Sequence, residues 1–138
     1  MKAEQMADTV KGACLCGAVQ FEVTLPTLGC CHCHCSICRR FLGAGYGTFF
    51  QVPRGRFRLL AGEAHIRRFR SSPTVQRAFC GTCGSALFGE MEQFGIVSVT
   101  LASMLGPIDR EPERHVCWDD RAPWVRIGDE LPRLGGPR

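Results

Sequence analysis

Apolar and polar residues alternate in short runs along this chain, and the alternation predicts strands. The clearest run is residues 18–25, where Val19, Phe21 and Val23 would face one side and the polar residues between them the other. Residues 96–101 form the most β-prone run, rich in isoleucine and valine. A period of two in segments of four to eight residues is typical of half-buried strands in a sheet.

Glycine and proline residues separate these runs and mark the turns between them. Further strands are predicted at residues 48–52, 56–60, 65–70, 75–79, 86–88, 115–118 and 124–127. The segments 56–60 and 65–70 are expected to pair with each other across residues 61–63. One short helix is predicted at residues 36–42, ended by Gly43. Without a long helical period, the pattern predicts a mainly β fold in a single domain.

The two ends of the chain lack this periodicity. We interpret residues 1–11 as a flexible lead-in, residues 12–132 as the domain and residues 133–138 as a polar tail. The first residues contain no apolar run of the kind found in signal peptides, and no segment resembles a membrane span. We therefore expect a cytoplasmic protein that does not enter the membrane.

Ten cysteines among 138 residues change this picture. In a reducing cytoplasm, closely spaced thiols indicate metal ligands rather than a disulfide framework. The net charge of +4 arises from 17 basic and 13 acidic residues, and the arginines are scattered rather than run together. That charge is compatible with an anionic small molecule and argues against a nucleic-acid partner.

Two cysteine pairs supply four thiolates, the number that a closed tetrahedral zinc site requires. Cys14 and Cys16 are expected on one face of a strand, and Cys80 and Cys83 flank a Gly-Thr turn. Pairing them would join the first strand to the second half of the chain. Zinc held there would contribute directly to the free energy of folding.

A second group of thiols, Cys33, Cys35 and Cys38, lies within six residues. The first two share a face of an extended segment, and the third can return through the first turn of a helix. Three thiolates leave the fourth zinc position open to water or substrate, where zinc acts as a Lewis acid and holds a bound thiol as thiolate. A fourth protein ligand would close this site instead. The candidates are Cys30, Cys31, His32, His34 and Cys117.

Two arginines, Arg39 and Arg40, follow Cys38 at once. Within a turn of the thiols they could hold the carboxylates of a substrate; alternatively they offset thiolate charge or face solvent. His115 and Cys117 are expected to share a strand face, turned either to the site or to the core.

The order and spacing of these cysteines resemble the glutathione-dependent formaldehyde-activating enzyme family. The resemblance is carried by residues 12–17, 33–40 with Gly43-Ala44, 79–85, and the ending from His115 to Pro132, and so extends over residues 12–132. Cys30 and Cys31 depart from the family's usual pattern, and burial is the expected reason for them.

The resemblance implies an all-β zinc fold of the kind shared with methionine-R-sulfoxide reductases. It implies a structural zinc on the two cysteine pairs and a second, more labile, catalytic zinc on Cys33, Cys35 and Cys38. The activity attached to the family is that of a carbon–sulfur lyase, whose named case joins formaldehyde to glutathione. The expected partner is therefore a small thiol such as glutathione.

Two other functions stay open on the sequence. The family includes a chromatin-associated branch, centromere protein V, so the chain could be a non-catalytic zinc module that binds protein or nucleic acid. The spare thiols would also suit a disulfide or sulfoxide redox enzyme.

Overall fold

The computed structural model describes residues 8–136, and within them the chain forms ten strands and one α-helix. The strands are β1 (Thr9–Ala13), β2 (Gln20–Thr24), β3 (Gly29–Cys33), β4 (Gly47–Pro53), β5 (Phe57–Ala61), β6 (Ile66–Ser72), β7 (Val75–Cys80), β8 (Ala86–Met91), β9 (Ile96–Thr100) and β10 (His115–Val116). The helix is α1 (Ser36–Leu42). The predicted mainly β, single-domain fold is confirmed. No helix among the described residues is long and apolar enough to cross a membrane.

The strands form two sheets. The smaller has the order β1-β2-β5, and the larger has the order β10-β3-β4-β9-β8-β7-β6. Strand β10 lies parallel to β3, whereas the other neighbours in both sheets are antiparallel.

The hydrophobic core brings the alternating apolar residues of the two sheets together. Phe21 of β2 stacks on Phe57 of β5, with ring centroids 5.2 Å apart, and Phe57 lies 4.7 Å from Phe88 of β8. Phe21 and Phe88 are fully buried. Burial of a phenylalanine side chain contributes about 1.5–3 kcal/mol, so this stack is a principal contact between the sheets.

The predicted helix begins and ends at the residues expected. Cys35 caps its start, with its Sγ accepting a hydrogen bond from the backbone N–H of Cys38. Gly43 ends it in the left-handed conformation (φ 64°), and its N–H bonds to the carbonyl of Arg39. Glycine adopts this conformation without a steric penalty. The helix therefore positions Cys35 and Cys38 from its first turn.

The predicted pairing of residues 56–60 with 65–70 is wrong. Strand β5 pairs with β2 in the small sheet, whereas β6 pairs with β7 in the large one. Gly62 between them has φ 90° and lies so close to the backbone of Ala18 that a side chain there would collide with it. A short 3-10 turn, Glu63–His65, follows and carries the chain from one sheet to the other.

Three other segments differ from the expectations. Residues 124–127 form no strand, and the Trp124 side chain is largely exposed. Strand β1 begins at Thr9, inside the predicted lead-in, and Arg133 of the predicted tail forms a bridge with His115. Residues 1–7 and 137–138 lie outside the described residues.

Candidate metal centres

The first cysteine cluster joins the two sheets. Cys14 and Cys16 lie in the turn between β1 and β2 rather than on a strand face, while Cys80 ends β7 and Cys83 lies in the turn before β8. The four Sγ atoms lie within 4.8 Å of one another. Sulfur–sulfur distances are 3.6 Å between Cys14 and Cys16 and 3.9 Å between Cys16 and Cys80. Four converging sulfurs can hold one tetrahedral metal ion.

Each pair sits in a tight turn closed by a glycine in the left-handed conformation. Gly17 and Gly84 both have φ 82°, and their N–H groups bond to the carbonyls of Cys14 and Cys80. This conformation strains any residue with a Cβ atom, so glycine allows the chain to fold back toward the sulfurs.

Backbone N–H groups and a hydroxyl donate to the sulfurs of this cluster. The N–H of Val19 lies 3.2 Å from Cys14 Sγ, and Ser85 Oγ lies 3.2 Å from Cys83 Sγ. The Ser85 hydroxyl and backbone N–H lower the pKa of Cys83 to about 5. Hydrogen bonds to a thiolate favour the charged form, which is the form that ligates a metal.

The second cluster consists of Cys33, Cys35 and Cys38, all buried, with their Sγ atoms within 4.8 Å of one another. Cys33 ends β3, Cys35 caps α1 and Cys38 lies in the first turn of the helix. A strand end followed at once by a helix start thus brings the three sulfurs to one point. Contacts with the other two thiols raise the pKa of Cys33, and a bound cation would reverse that effect.

The fourth position receives no ligand from the sequence candidates. Within residues 8–136, no further histidine, cysteine or carboxylate ligand atom lies within the same distance of all three sulfurs. Cys30 is buried in the main core, and His32 Nδ1 lies 2.8 Å from Thr48 Oγ1. The described residues therefore offer four ligands at one centre and three at the other.

A cavity of about 240 Å³ opens beside the three-cysteine cluster, and Cys33 and Cys38 form part of its wall. Further apolar lining is supplied by Phe49, Val75, Met91 and Val116. Its polar and thiol lining consists of Gln51, Arg77, Ser98, Cys31 and Cys117. Pockets for drug-sized ligands span about 300–1,000 Å³, so this one suits a small molecule or the thiol end of a larger one.

The predicted common face of His115 and Cys117 is wrong. Strand β10 ends at Val116, and Cys117 takes a left-handed backbone conformation with φ 53°. His115 is consequently buried beside His34, while Cys117 lines the cavity.

Arg77 is a residue of this site that the sequence patterns did not single out. It lies on β7, is 4% exposed, and its Nη1 donates to Cys38 Sγ at 3.5 Å. Its position in the strand could have identified it, because the alternation that buries Val75 also turns residue 77 inward. A charged residue at an inward position of a strand is unusual enough to mark a site.

The two predicted arginines lie elsewhere. Arg39 donates to the backbone carbonyls of His34 and Asp120, at 3.2 and 3.1 Å. Arg40 is exposed, and its Nε donates to the carbonyl of Ser36. Neither lines the cavity that contains Cys33 and Cys38.

A chain of hydrogen bonds begins at the buried ring of His34, between Cys33 and Cys35, and ends at the exposed carboxylate of Asp129. His34 Nε2 lies 2.8 Å from His115 Nδ1, and His115 Nε2 lies 3.0 Å from a carboxylate oxygen of Asp129. Since the carboxylate accepts from His115 Nε2, the Nδ1 atom of His115 accepts from His34 Nε2. His34 Nδ1 is thus unprotonated, and it is a buried side-chain atom without a hydrogen-bond partner among the described residues.

Because the His34 ring is buried, we predict that the protein loses stability in mild acid. Burial, reinforced by His115, lowers the pKa of His34 to about 4. An unfolded histidine takes up its proton near about pH 6.5, so the unfolded state binds more protons between about pH 6.5 and 4. We expect the free energy of unfolding to fall through this window, by at most about 1.4 kcal/mol per pH unit from this residue.

The measurement is chemical unfolding of metal-loaded protein between pH 7 and 5. His34→Gln retains a donor toward His115 and should show a shallower decrease than the wild type. Equal slopes in the two proteins would contradict the role assigned to His34.

Comparisons with known proteins agree with this architecture. The family model described as glutathione-dependent formaldehyde-activating enzyme matches residues 9–120. A Halomonas elongata protein, provisionally named a glutathione-dependent formaldehyde-activating enzyme, is 30% identical over 126 residues, which cover 86% of this chain and 80% of that protein. An uncharacterised lyase from Schizosaccharomyces pombe is 28% identical over 80 residues, covering 56% of this chain and 55% of that lyase.

Among solved structures, the crystal structure of a Rhodobacter sphaeroides protein is similar to this chain with a TM-score of 0.61. The two sequences are 27% identical, and the match covers 72% of this chain and 91% of that one. The likeness thus extends over nearly the whole of the bacterial protein.

Proposed function

Because this chain belongs to the glutathione-dependent formaldehyde-activating enzyme family, we propose that it is a zinc-dependent carbon–sulfur lyase acting on a small thiol such as glutathione. The observation that carries the proposal is the three-cysteine cluster, two of whose cysteines line a small cavity, in a chain that also has a separate cluster of four. A closed cluster suits a structural metal, and an open one suits a metal that also binds substrate.

The donor set fits zinc at both centres. Thiolates are soft ligands that favour zinc over magnesium or calcium. Zinc–sulfur bonds of about 2.3 Å in a tetrahedron place the sulfurs about 3.8 Å apart. The separations of 3.6 and 3.9 Å in the four-cysteine cluster agree with this value. Zinc would be held in this cluster by Cys14, Cys16, Cys80 and Cys83. At the open centre it would be held by Cys33, Cys35 and Cys38.

When bound at the open centre, zinc supplies a Lewis acid that keeps the substrate thiol as thiolate near neutral pH. Phe49 and Val116 make the adjacent wall apolar and limit the access of water to a small aldehyde beside the sulfur. Gln51 and Ser98, joined by a 3.1 Å hydrogen bond, offer polar groups to the carbonyl oxygen. The thiol releases its proton to solvent, and the sulfur forms a bond to the carbonyl carbon as the carbon–oxygen π bond breaks. The oxygen then takes up a proton from solvent to become a hydroxyl, so that no net proton is gained or lost. The reverse step breaks the same bond.

A redox function has weaker support. Cys31 lines the cavity, but burial raises its pKa to about 11, so little thiolate is available for attack at neutral pH. A non-catalytic zinc module would not require a cavity at a three-ligand centre. The cavity favours the enzyme.

The test is metal analysis followed by catalysis. We expect two zinc ions per chain, one of them removed by a mild chelator. The fully loaded protein should accelerate exchange between formaldehyde, glutathione and their adduct in NMR spectra. Protein that retains only the tightly held zinc should give the uncatalysed rate.

Thiols other than glutathione, tested in the same assay, would define the substrate. A three-cysteine cluster that takes up no zinc on reloading, or full activity without it, would contradict the proposal.

A further inference from the structure

Arg77 is a buried cation that has no carboxylate partner among the described residues. Its side chain donates to Ser71 Oγ at 3.1 Å and to Cys38 Sγ at 3.5 Å, and its guanidinium lies 5.2 Å from the ring centroid of Phe41. Within residues 8–136, no aspartate or glutamate forms an ion pair with it. Arginine keeps its charge in proteins, and buried charges are almost always paired.

The opposite charge available to Arg77 is that of the thiolate cluster. Three thiolates around a divalent zinc carry a net charge of about −1, which one guanidinium balances. With a neutral fourth ligand such as water, Arg77 neutralises the centre. With a thiolate as fourth ligand the charge becomes about −2, and a fixed cation nearby then stabilises the added anion.

The position of Arg77 is fixed on both sides. Arg77 Nε donates a hydrogen bond to Ser71 Oγ, Nη1 donates one to Cys38 Sγ, and the guanidinium lies over the ring of Phe41. Arg77 lines the cysteine cavity and also a neighbouring cavity that contains Arg40 and Phe69. It thus lies in the wall of both cavities, and its guanidinium contacts one of the three sulfurs.

We infer that Arg77 is a positioning residue that makes the three-cysteine centre select an anionic sulfur ligand over a neutral one. The inference rests on the proposed function, since it takes the substrate sulfur to occupy the fourth position. Arg77 acts through Cys38 and through the charge that it holds beside the centre.

The experiment uses protein with zinc in the four-cysteine centre and Co²⁺ in the open centre, prepared by mild chelation and reloading. Absorption spectra report the binding of 2-mercaptoethanol, which ligates as thiolate, and of imidazole, which ligates as a neutral molecule. Arg77→Gln and Arg77→Met remove the charge, and glutamine retains hydrogen-bonding capacity toward Ser71 and Cys38. Arg77→Lys keeps the charge. Arg58→Gln removes an exposed arginine of the small sheet and controls for net charge.

We expect the two uncharged variants to bind 2-mercaptoethanol about tenfold more weakly, with imidazole binding nearly unchanged. Arg77→Lys should lie close to the wild type, and Arg58→Gln should be indistinguishable from it. Equal weakening for both ligands, or none, would overturn the inference and leave Arg77 a structural residue. A wild-type protein that binds imidazole but no thiol would overturn both this inference and the proposed function. Thiol binding that is normal in the wild type and unchanged by substitution of Arg77 would overturn this inference and leave the proposed function standing.

Discussion

Replacement of Cys35 by serine is expected to remove the metal and the lyase activity proposed for the open centre while the fold survives. A serine hydroxyl does not ionise near neutral pH and is a poor zinc ligand, so the open centre would retain two thiolates. The same hydroxyl is a strong helix cap. It can accept the hydrogen bond that Cys35 Sγ now accepts from the N–H of Cys38 at 3.2 Å.

The choice of serine separates two functions of this side chain. Alanine would remove both the ligand and the cap, and loss of a cap costs about 0.5–2 kcal/mol. Its effect on activity would then be mixed with a loss of stability.

Metal analysis, thermal unfolding and the NMR exchange assay measure the outcome of Cys35→Ser. We expect one zinc per chain, a nearly unchanged Tm and the uncatalysed rate. Cys30→Ala is the matched control, since Cys30 is a buried cysteine that belongs to neither cluster. It should keep both zinc ions. A Cys35→Ser protein that retains two zinc ions and activity would show that the open centre lies elsewhere.

Local spacing fixes most of what the sequence predicted of the site, and the joining of the two cysteine pairs, 64 residues apart, was predicted from the four ligands that a closed zinc site requires. Two thiols that flank a tight turn, or the first turn of a helix, come together wherever the rest of the chain goes. The helix Ser36–Leu42 was equally local, with Gly43 to end it. The cysteine clusters could therefore be predicted without knowing how the strands pair.

The parts that the sequence did not predict depend on distant segments. Strand β3 is Gly-Cys-Cys-His-Cys, which carries no β-propensity signal, and it is a strand because β4 and β10 flank it. The predicted hairpin of residues 56–70 failed because the contact of Gly62 with Ala18 joins the two sheets. The contact of Arg77 with Cys38 depends on how β7 packs against the start of the helix, which the sequence alone did not predict.

Replacement of Cys80 by alanine is expected to prevent folding rather than to abolish chemistry alone. Cys80 lies at the end of β7 in the large sheet, and its sulfur is 3.9 Å from that of Cys16, in the turn that joins β1 to β2 of the small sheet. Removing it would break the proposed metal link between two segments that are 64 residues apart. Structural zinc sites bind with apparent free energies of about 10–16 kcal/mol in small peptides, which is comparable to the typical stability of a whole domain, about 5–15 kcal/mol.

Soluble yield, circular dichroism and thermal unfolding in the presence of zinc measure the effect. We expect no cooperative unfolding transition for Cys80→Ala, whereas Cys30→Ala, also fully buried, should lose about 1–2 kcal/mol. The contrast with Cys35→Ser carries the argument. If one centre is structural and the other catalytic, Cys80→Ala loses its fold, whereas Cys35→Ser loses only one metal ion and the activity. A folded Cys80→Ala protein with a normal Tm would show that the contacts between the sheets, including the Phe21, Phe57 and Phe88 stack, suffice without the metal.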